Sequence, residues 1–285
     1  MGSWIRGAVV AGAGIALLIG FAHQTAAQLP VTADLVMHLD ASAIDTGDTD
    51  QVTWNGGTGY IKKWADQSGV GNDALEVTFG EDPWYVTGAD AGEFSNFKPV
   101  VRFAGSDYLQ LTSVPELVNI PKGTVFIVLS MTEVTDNHTA ICAYVGGQTA
   151  FPRIQKTDKY LTGGYLTCYG WAPHTLQANV LEVIASGYDG TEAIATNRLT
   201  MSIDNVPQAL TDWYNLPSVN NGAVNGMMVG AYYTGAYEWS GDIAEIAIYT
   251  NLLTAAQQKE VIYYLGNKYG VEVGAPAVGT VVFIR

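Results

Sequence analysis

Gly123-Thr124-Val125-Phe126-Ile127-Val128-Leu129-Ser130-Met131 is the stretch that decides the fold class. β-Branched and aromatic residues dominate a run of one strand's length. Apolar side chains fall at both parities, so both faces of that strand are expected to be buried. Upstream, Lys98 to Phe103 reads as another strand, and Gly105-Ser106-Asp107 turns it into Tyr108-Leu109-Gln110-Leu111. Downstream, Ala140 to Val145, Tyr165 to Tyr169, Leu181 to Tyr188, Arg198 to Ile203, Met227 to Ala231 and Gly241 to Tyr249 are further extended segments, several of them separated by Gly, Asn and Pro. The alternating helices that a parallel sheet needs are absent from the pattern. The expected fold class is all-β, an antiparallel two-sheet sandwich.

Nearer the start, Asp34 to Leu39 is extended and runs into Asp40-Ala41-Ser42, and residues 43–60 read as a loop whose Asp, Thr, Gly and Asn supply no core strand. Trp64-Ala65-Asp66-Gln67-Ser68-Gly69, followed by Gly71-Asn72-Asp73-Ala74, reads as a tight turn in which Ser68 is a capping residue. One good helix follows the last sheet segment. Thr254 caps it, Gln257 completes a capping box, Val261, Ile262 and Leu265 offer an apolar stripe, and Gly270 stops it. That helix is expected to pack as a lid on an edge or end of the sandwich.

The 285 residues open on a signal-peptide pattern over 1–27, with Arg6, the apolar run Gly7 to Phe21 and the small residues Thr25-Ala26-Ala27. The run is short for a bilayer span, so cleavage and release are expected over an uncleaved anchor. One domain is expected over 28–273, with 274–285 as a tail or edge strand. Lys and Arg number 13 against 27 Asp and Glu, and the leader removes only Arg6. Such acidity lacks the cations that nucleic acid or anionic lipid requires. It suits calcium, a neutral glycan or plain solubility. Cys142 and Cys168 are consistent with one disulfide in an oxidising compartment. Secretion to the outside or the cell surface is expected, with the periplasm as an alternative.

Val36-Met37-His38-Leu39-Asp40-Ala41-Ser42, Trp64 to Gly69, Lys98-Pro99-Val100-Val101-Arg102-Phe103, Gly241 to Tyr249 and the ending Leu253 to Tyr269 with Gly270-Val271 together resemble bacterial laminin G-like members of the concanavalin A-like lectin and glucanase superfamily. The resemblance covers residues 33 to 273 and implies a two-sheet jelly roll with variable loops. Members include glycan-binding and adhesive modules, and relatives include glycan hydrolases, so membership does not choose a ligand.

Glucanases of that superfamily carry Glu-x-Asp-x-Glu on a strand. The nearest set here is Glu238, Asp242 and Glu245, and a regular strand would send Asp242 and Glu245 to opposite faces. A retaining mechanism needs its carboxyl pair roughly 5 to 5.5 Å apart across a sugar, so a hydrolase or lyase is the lesser expectation. Two groups of oxygen donors suit a structural Ca2+: Asp40, Asp45, Asp48 and Asp50 in one loop, and Asp66, Asn72 and Asp73 in the next. The competing reading makes Asp40 and Asp66 holders of turns through backbone hydrogen bonds. His38, His138 and His174 show neither zinc nor triad spacing. Tyr169, Trp171, Trp213, Tyr214, Tyr232, Tyr233, Tyr237 and Trp239 sit near expected loops with Asn215, Asn220 and Asn221. Rings that stack on sugars beside amides that bond hydroxyls make a shallow glycan site the expected ligand surface. The expected function is a secreted, non-catalytic binding or adhesion module, with a structural protein–protein interaction domain of an extracellular assembly as the alternative. The expected partner is a glycan or an extracellular protein, not nucleic acid, with no stable membrane span after leader cleavage.

Overall fold

The computed structural model describes residues 28–77, 82–134, 136–164, 168–214 and 220–274, so the expected leader and the stretch 275–285 lie outside the described residues. Every strand pairing described is antiparallel. A ten-stranded sheet runs β16 (Val206–Pro207), β15 (Leu199–Ile203), β14 (Glu182–Asp189), β9 (Lys122–Met131), β19 (Ser240–Tyr249), β7 (Val100–Ala104), β6 (Trp84–Val86), β3 (Thr58–Ile61) and β2 (Val52–Asn55), with β1 (Leu35–Asp40) paired to β19. A nine-stranded sheet runs β17 (Thr211–Tyr214), β13 (Tyr169–Trp171), β12 (Tyr160–Gly163), β11 (Gln148–Lys156), β10 (His138–Val145), β18 (Gly226–Val229), β8 (Leu109–Leu111), β5 (Ala74–Glu76) and β4 (Lys63–Trp64). The helices are a short α1 (Gly88–Ala91) and α2 (Ala255–Tyr269). The antiparallel two-sheet sandwich with a C-terminal helix is therefore the fold.

Two apolar layers hold it. Between the sheets, Ile127, Leu129, Ile184, Ile243 and Ile246 of one sheet meet Ile141, Phe151, Ile154, Met227 and Val229 of the other, with Trp64, Tyr160 and Trp239 filling the layer. Outside the ten-stranded sheet, Phe126, Val128, Val183, Ala244, Ala247 and Tyr249 pack against Val261, Ile262, Leu265 and Tyr269 of α2. This second layer is why nearly all of β9 is buried on both faces. Each large aliphatic side chain so covered is worth about 2 kcal/mol. The capping box is present, with Gln257 N–H donating to Thr254 and Thr254 N–H donating to Gln257, and Gly270 ends the helix at φ 71°. The helix lies on a sheet face, not on an edge or end as the sequence suggested, because β9, β14 and β19 present apolar residues outward as well as inward.

Residues 43–60 are not loop throughout. β2 and β3 form a hairpin in which Asn55 pairs with Thr58 across Gly56 and Gly57 at φ 58° and 89°, the left-handed pair that a tight hairpin turn requires. Val52 and Ile61 supply its buried side. β11 is another strand absent from the sequence reading. Its Pro152 argues against a central strand, but the register with β10 jumps from Cys142↔Arg153 to Ala143↔Ala150, leaving Phe151 and Pro152 in a bulge where no ladder donor is required. Of the expected strand Tyr165 to Tyr169, residues 165–167 lie outside the described residues, and β13 begins at Tyr169.

The expected disulfide is overturned: Cys142 and Cys168 are both free and buried. β11 and β12 separate Cys142 on β10 from the start of β13, about 14 Å at the usual strand spacing, whereas a bridge needs Cα atoms within roughly 7 Å. Cys168 also belongs to the inter-sheet core, while Cys142 does not. Burial pushes each thiol up to about 12, which leaves both unreactive.

Candidate functional site

With α2 covering the ten-stranded sheet, the outer face of the nine-stranded sheet carries a separate band of polar and aromatic side chains, buried at its centre and half-buried at its flanks. One row crosses all nine strands in continuous register: Lys63, Leu75, Gln110, Met228, Cys142, Arg153, Gly163, Tyr169 and Tyr214. Strand alternation places it opposite the core residues Leu109, Met227, Val229, Ile141 and Ile154.

The connection between β18 and β19 folds over this row and is held by backbone bonds. Tyr232 N–H donates to Ala236 O, Gly235 N–H to Tyr232 O and Thr139 N–H to Tyr237 O at 2.7–2.8 Å. It brings Tyr232 within 4.5 Å of Tyr233 and 5.7 Å of Tyr237, centroid to centroid. Tyr233 continues to Tyr144 at 6.2 Å, whose hydroxyl accepts from Gln110 Nε2 at 3.0 Å. On the other flank Tyr169 meets Trp171 at 6.0 Å, edge to face. Between the flanks lies Arg153, its Cζ 5.3 Å from the Tyr232 ring and 5.6 Å from the Tyr169 ring. Rings and guanidinium form one tract across the sheet, and Tyr237 at its rim is 47% exposed.

Five of the aromatic residues singled out from sequence, Tyr169, Trp171, Tyr232, Tyr233 and Tyr237, are thus brought together. Others are not. Trp239 is fully buried and donates its indole N–H to Ser130 O at 3.1 Å. Trp213 faces the gap at the sandwich edge with Leu199, Met201 and Leu210, where it blocks any side chain at Gly170. Asn221 is buried and bridges Phe151 N–H, Phe151 O and Leu117 O, while Asn220 is exposed. Tyr214 pairs with Tyr169 through its backbone; its side chain and Asn215 lie outside the described residues. Arg153 and Gln155 escaped the sequence reading because β11 did, and Tyr144 and Gln110, on strands that were read, were not picked out as candidates. The alternation Arg153-Ile154-Gln155 was the available signal, with only Ile154 in the core.

The acidic candidates have other partners. Asp66 accepts five hydrogen bonds, from the N–H groups of His38, Ser68, Gly71 and Asn72 and from the Ser68 hydroxyl, at 2.7–3.0 Å. Donors aimed at both its oxygens leave no lone pair facing a cation. Asp73 accepts from Asp66 N–H, and Asn72 donates to Val36 O and Glu116. Asp45 accepts from Gly47 N–H and Asp48 from Asp50 N–H, each at 2.9 Å; the latter bond, then that from Gln51, holds Asp48 below the usual carboxylate value. Asp40 accepts from Ser42 N–H. Among the described residues, three His, Cys, Asp or Glu side chains converge as His38, Asp40 and Glu245, and as Glu133, Asp136 and His138. In the first group Lys268 Nζ already bridges Asp40 and Glu245 at 2.7 and 2.6 Å. In the second both His138 ring nitrogens are engaged, by Glu238 O and Glu133.

The carboxylate geometry corrects one expectation. A register shift between Ile243 and Glu245 turns Ala244 and Glu245 to the same outer side, so Asp242 and Glu245 do share a face. Neither meets a cleft. Asp242 makes a two-point pair with Arg102 at 2.7 and 2.9 Å, and Glu245, fully buried, bonds His38, Lys268 and Tyr269. His174 bonds Glu182, which also takes the Tyr160 hydroxyl at 2.6 Å.

No family model matches this sequence, and no curated protein matches it. Solved structures match in fold. Trypanosoma rangeli sialidase in complex with sialic acid superposes with a TM-score of 0.55 at 12% identity, over 85% of this chain and 34% of that one; this chain thus spans about a third of the sialidase's length. Domain 4 of AbnA, a GH43 extracellular arabinanase from Geobacillus stearothermophilus, in complex with arabinotriose, superposes at 0.51 and 15% identity over 81% of this chain and 98% of that domain. At such identities the likeness is one of fold.

Proposed function

We propose that this chain is an exported, non-catalytic glycan-binding module that takes an oligosaccharide along the aromatic tract of its nine-stranded sheet. The observation that carries the reading is the tract itself: Tyr144, Tyr233, Tyr232, Tyr169 and Trp171 in succession on an outer sheet face, with amides and a guanidinium between them. Rings offer the apolar faces of sugars a stacking surface, and Gln110 and Gln155 offer hydroxyl partners. Domain 4 of the arabinanase, which this chain covers almost whole, is in complex with arabinotriose, which supports the same class of ligand. Asp242 and Glu245, each neutralised by a cation, support a non-catalytic role, and the leader-like start supports export. The laminin G-like resemblance is the finer reading of the fold and rests on the quoted motifs.

Affinity electrophoresis through immobilised polysaccharides, after a glycan array has selected them, tests the proposal. Wild-type protein is expected to be retarded, and Trp171→Ala to weaken retention about tenfold through loss of one stacking ring. Recovery of a specific protein partner with no glycan retained would move the reading to adhesion.

A further inference from the structure

Arg153 is the buried cation at the centre of the tract. The residue is 7% exposed, yet no ion pair with a carboxylate among the described residues is seen for it. Nε and Nη2 both donate to the neutral Gln155 Oε1, and the remaining contacts are the faces of Tyr169 and Tyr232. By contrast, Arg102 holds Asp242, Lys122 holds Asp189, and buried Lys268 holds both Asp40 and Glu245. A chain with 27 acidic residues against 13 basic ones has no shortage of partners to offer.

Burying a cation without a counter-ion is costly, and two ring faces return only part of that cost. The imbalance is the mark of a group whose partner arrives from outside. Guanidinium carries five N–H donors in a planar fork, and Gln155 occupies only one edge of it. The hydrogen bonds described for the guanidinium use Nε and Nη2, and Nη1 is not among the buried polar atoms lacking a partner. Gly163 beside it leaves room: a Cβ there would come within 3.1 Å of Arg153 Cδ. The two tyrosines fix the plane of the fork, which cuts the entropy lost when an oxyanion docks.

We infer that Arg153 receives an oxyanion carried on the sugar, so that the ligand is an acidic saccharide whose carboxylate or sulfate lies over the centre of the tract. This rests on the glycan-binding reading and names the ligand's class. The strongly negative chain repels anions at long range, so capture of an acidic ligand relies on local contacts with Arg153 and the rings beside it.

Calorimetric titration of the full chain with oligogalacturonate, with its methyl ester and with a sulfated galactan oligosaccharide tests the inference. Wild-type protein is expected to prefer one of the two acidic ligands over the uncharged ester by about tenfold or more, the typical gain from a charge-assisted two-point contact. The preferred arm identifies the oxyanion. Arg153→Gln is expected to abolish the preference and Arg153→Lys to keep part of it, with unchanged thermal midpoints certifying the fold. The wild-type comparison of acid with ester stands even where a variant fails to fold. Equal affinity for the ester and both acidic ligands would overturn the inference, and so would tight binding of neutral glycans alone, although that second result leaves the glycan module intact. Binding of no saccharide of any charge would sink both.

Discussion

Asp107 shows how a single buried carboxyl sets a measurable property. It is 3% exposed and accepts the Ala104 N–H at 2.7 Å, but desolvation outweighs that bond and pushes its carboxyl up to about 6. The folded chain therefore holds this proton more tightly than the unfolded chain, whose value is about 4. Stability from this group is fully present below pH ~4 and falls as pH rises through about 6. Asp107→Asn keeps the acceptor oxygen and removes the ionisation. Its thermal midpoint is expected to exceed that of wild type at pH 7 and to lose most of that advantage by pH 4; an advantage independent of pH would assign the effect to packing. None of this was visible in Gly105-Ser106-Asp107, which announces a turn but not its burial. Asp66 is the opposite case. The turn chemistry of Trp64 to Gly69 with Gly71-Asn72 was legible because Asp, Ser, Asn and Gly act on their own backbone, and the five bonds to Asp66 are that chemistry carried out.

Among the elements, β1, β19 and α2 meet in one buried clasp. His38 and Asp40 come from β1, Glu245 from the bulge of β19, and Lys268 and Tyr269 from the last turn of α2. These residues fall in three of the segments that carry the laminin G-like resemblance, so those segments record how the helix is fastened and not what the loops bind. Burial pulls the Lys268 ammonium downward, but attraction to Glu245 and Asp40 prevails and holds it above the usual lysine value. Its stabilisation is thus complete below the unfolded lysine value and is lost as pH rises through the folded one. Lys268→Met leaves two buried carboxylates without their cation and is expected to cost about 3–5 kcal/mol in urea unfolding; a loss under ~1 kcal/mol, the worth of a surface ion pair, would show that water reaches the clasp. The helix and its caps were legible from local chemistry. The side it covers was not, since period alone does not tell a face from an edge. The β19 bulge was likewise hidden, because Asp242 to Glu245 carries no glycine or proline to mark it.

Across the whole molecule, asymmetry between the sheets creates the site. The ten-stranded sheet is apolar on both sides because α2 returns over it, whereas the nine-stranded sheet is apolar inward and aromatic, polar and charged outward. Antiparallel pairing makes this possible, since each strand assigns alternate residues to the two faces. The β-rich segments made the sandwich legible, and the aromatic content of the loops pointed to five residues of the tract. Its centre was out of reach, because Arg153 acquires meaning only when β10, β11, β12 and β13 stand side by side. The separation of Cys142 from Cys168 by two strands was equally a property of the assembled sheet. Where a saccharide settles is the measurement that decides among these surfaces. Tyrosine-ring carbon-13 NMR of the full chain, titrated with the tightest saccharide ligand, is expected to shift Tyr144, Tyr169, Tyr232 and Tyr233 together while Tyr263 and Tyr264 on α2 stay still. Shifts confined to the helix side, or none in the tract at saturation, would contradict a binding face on the nine-stranded sheet.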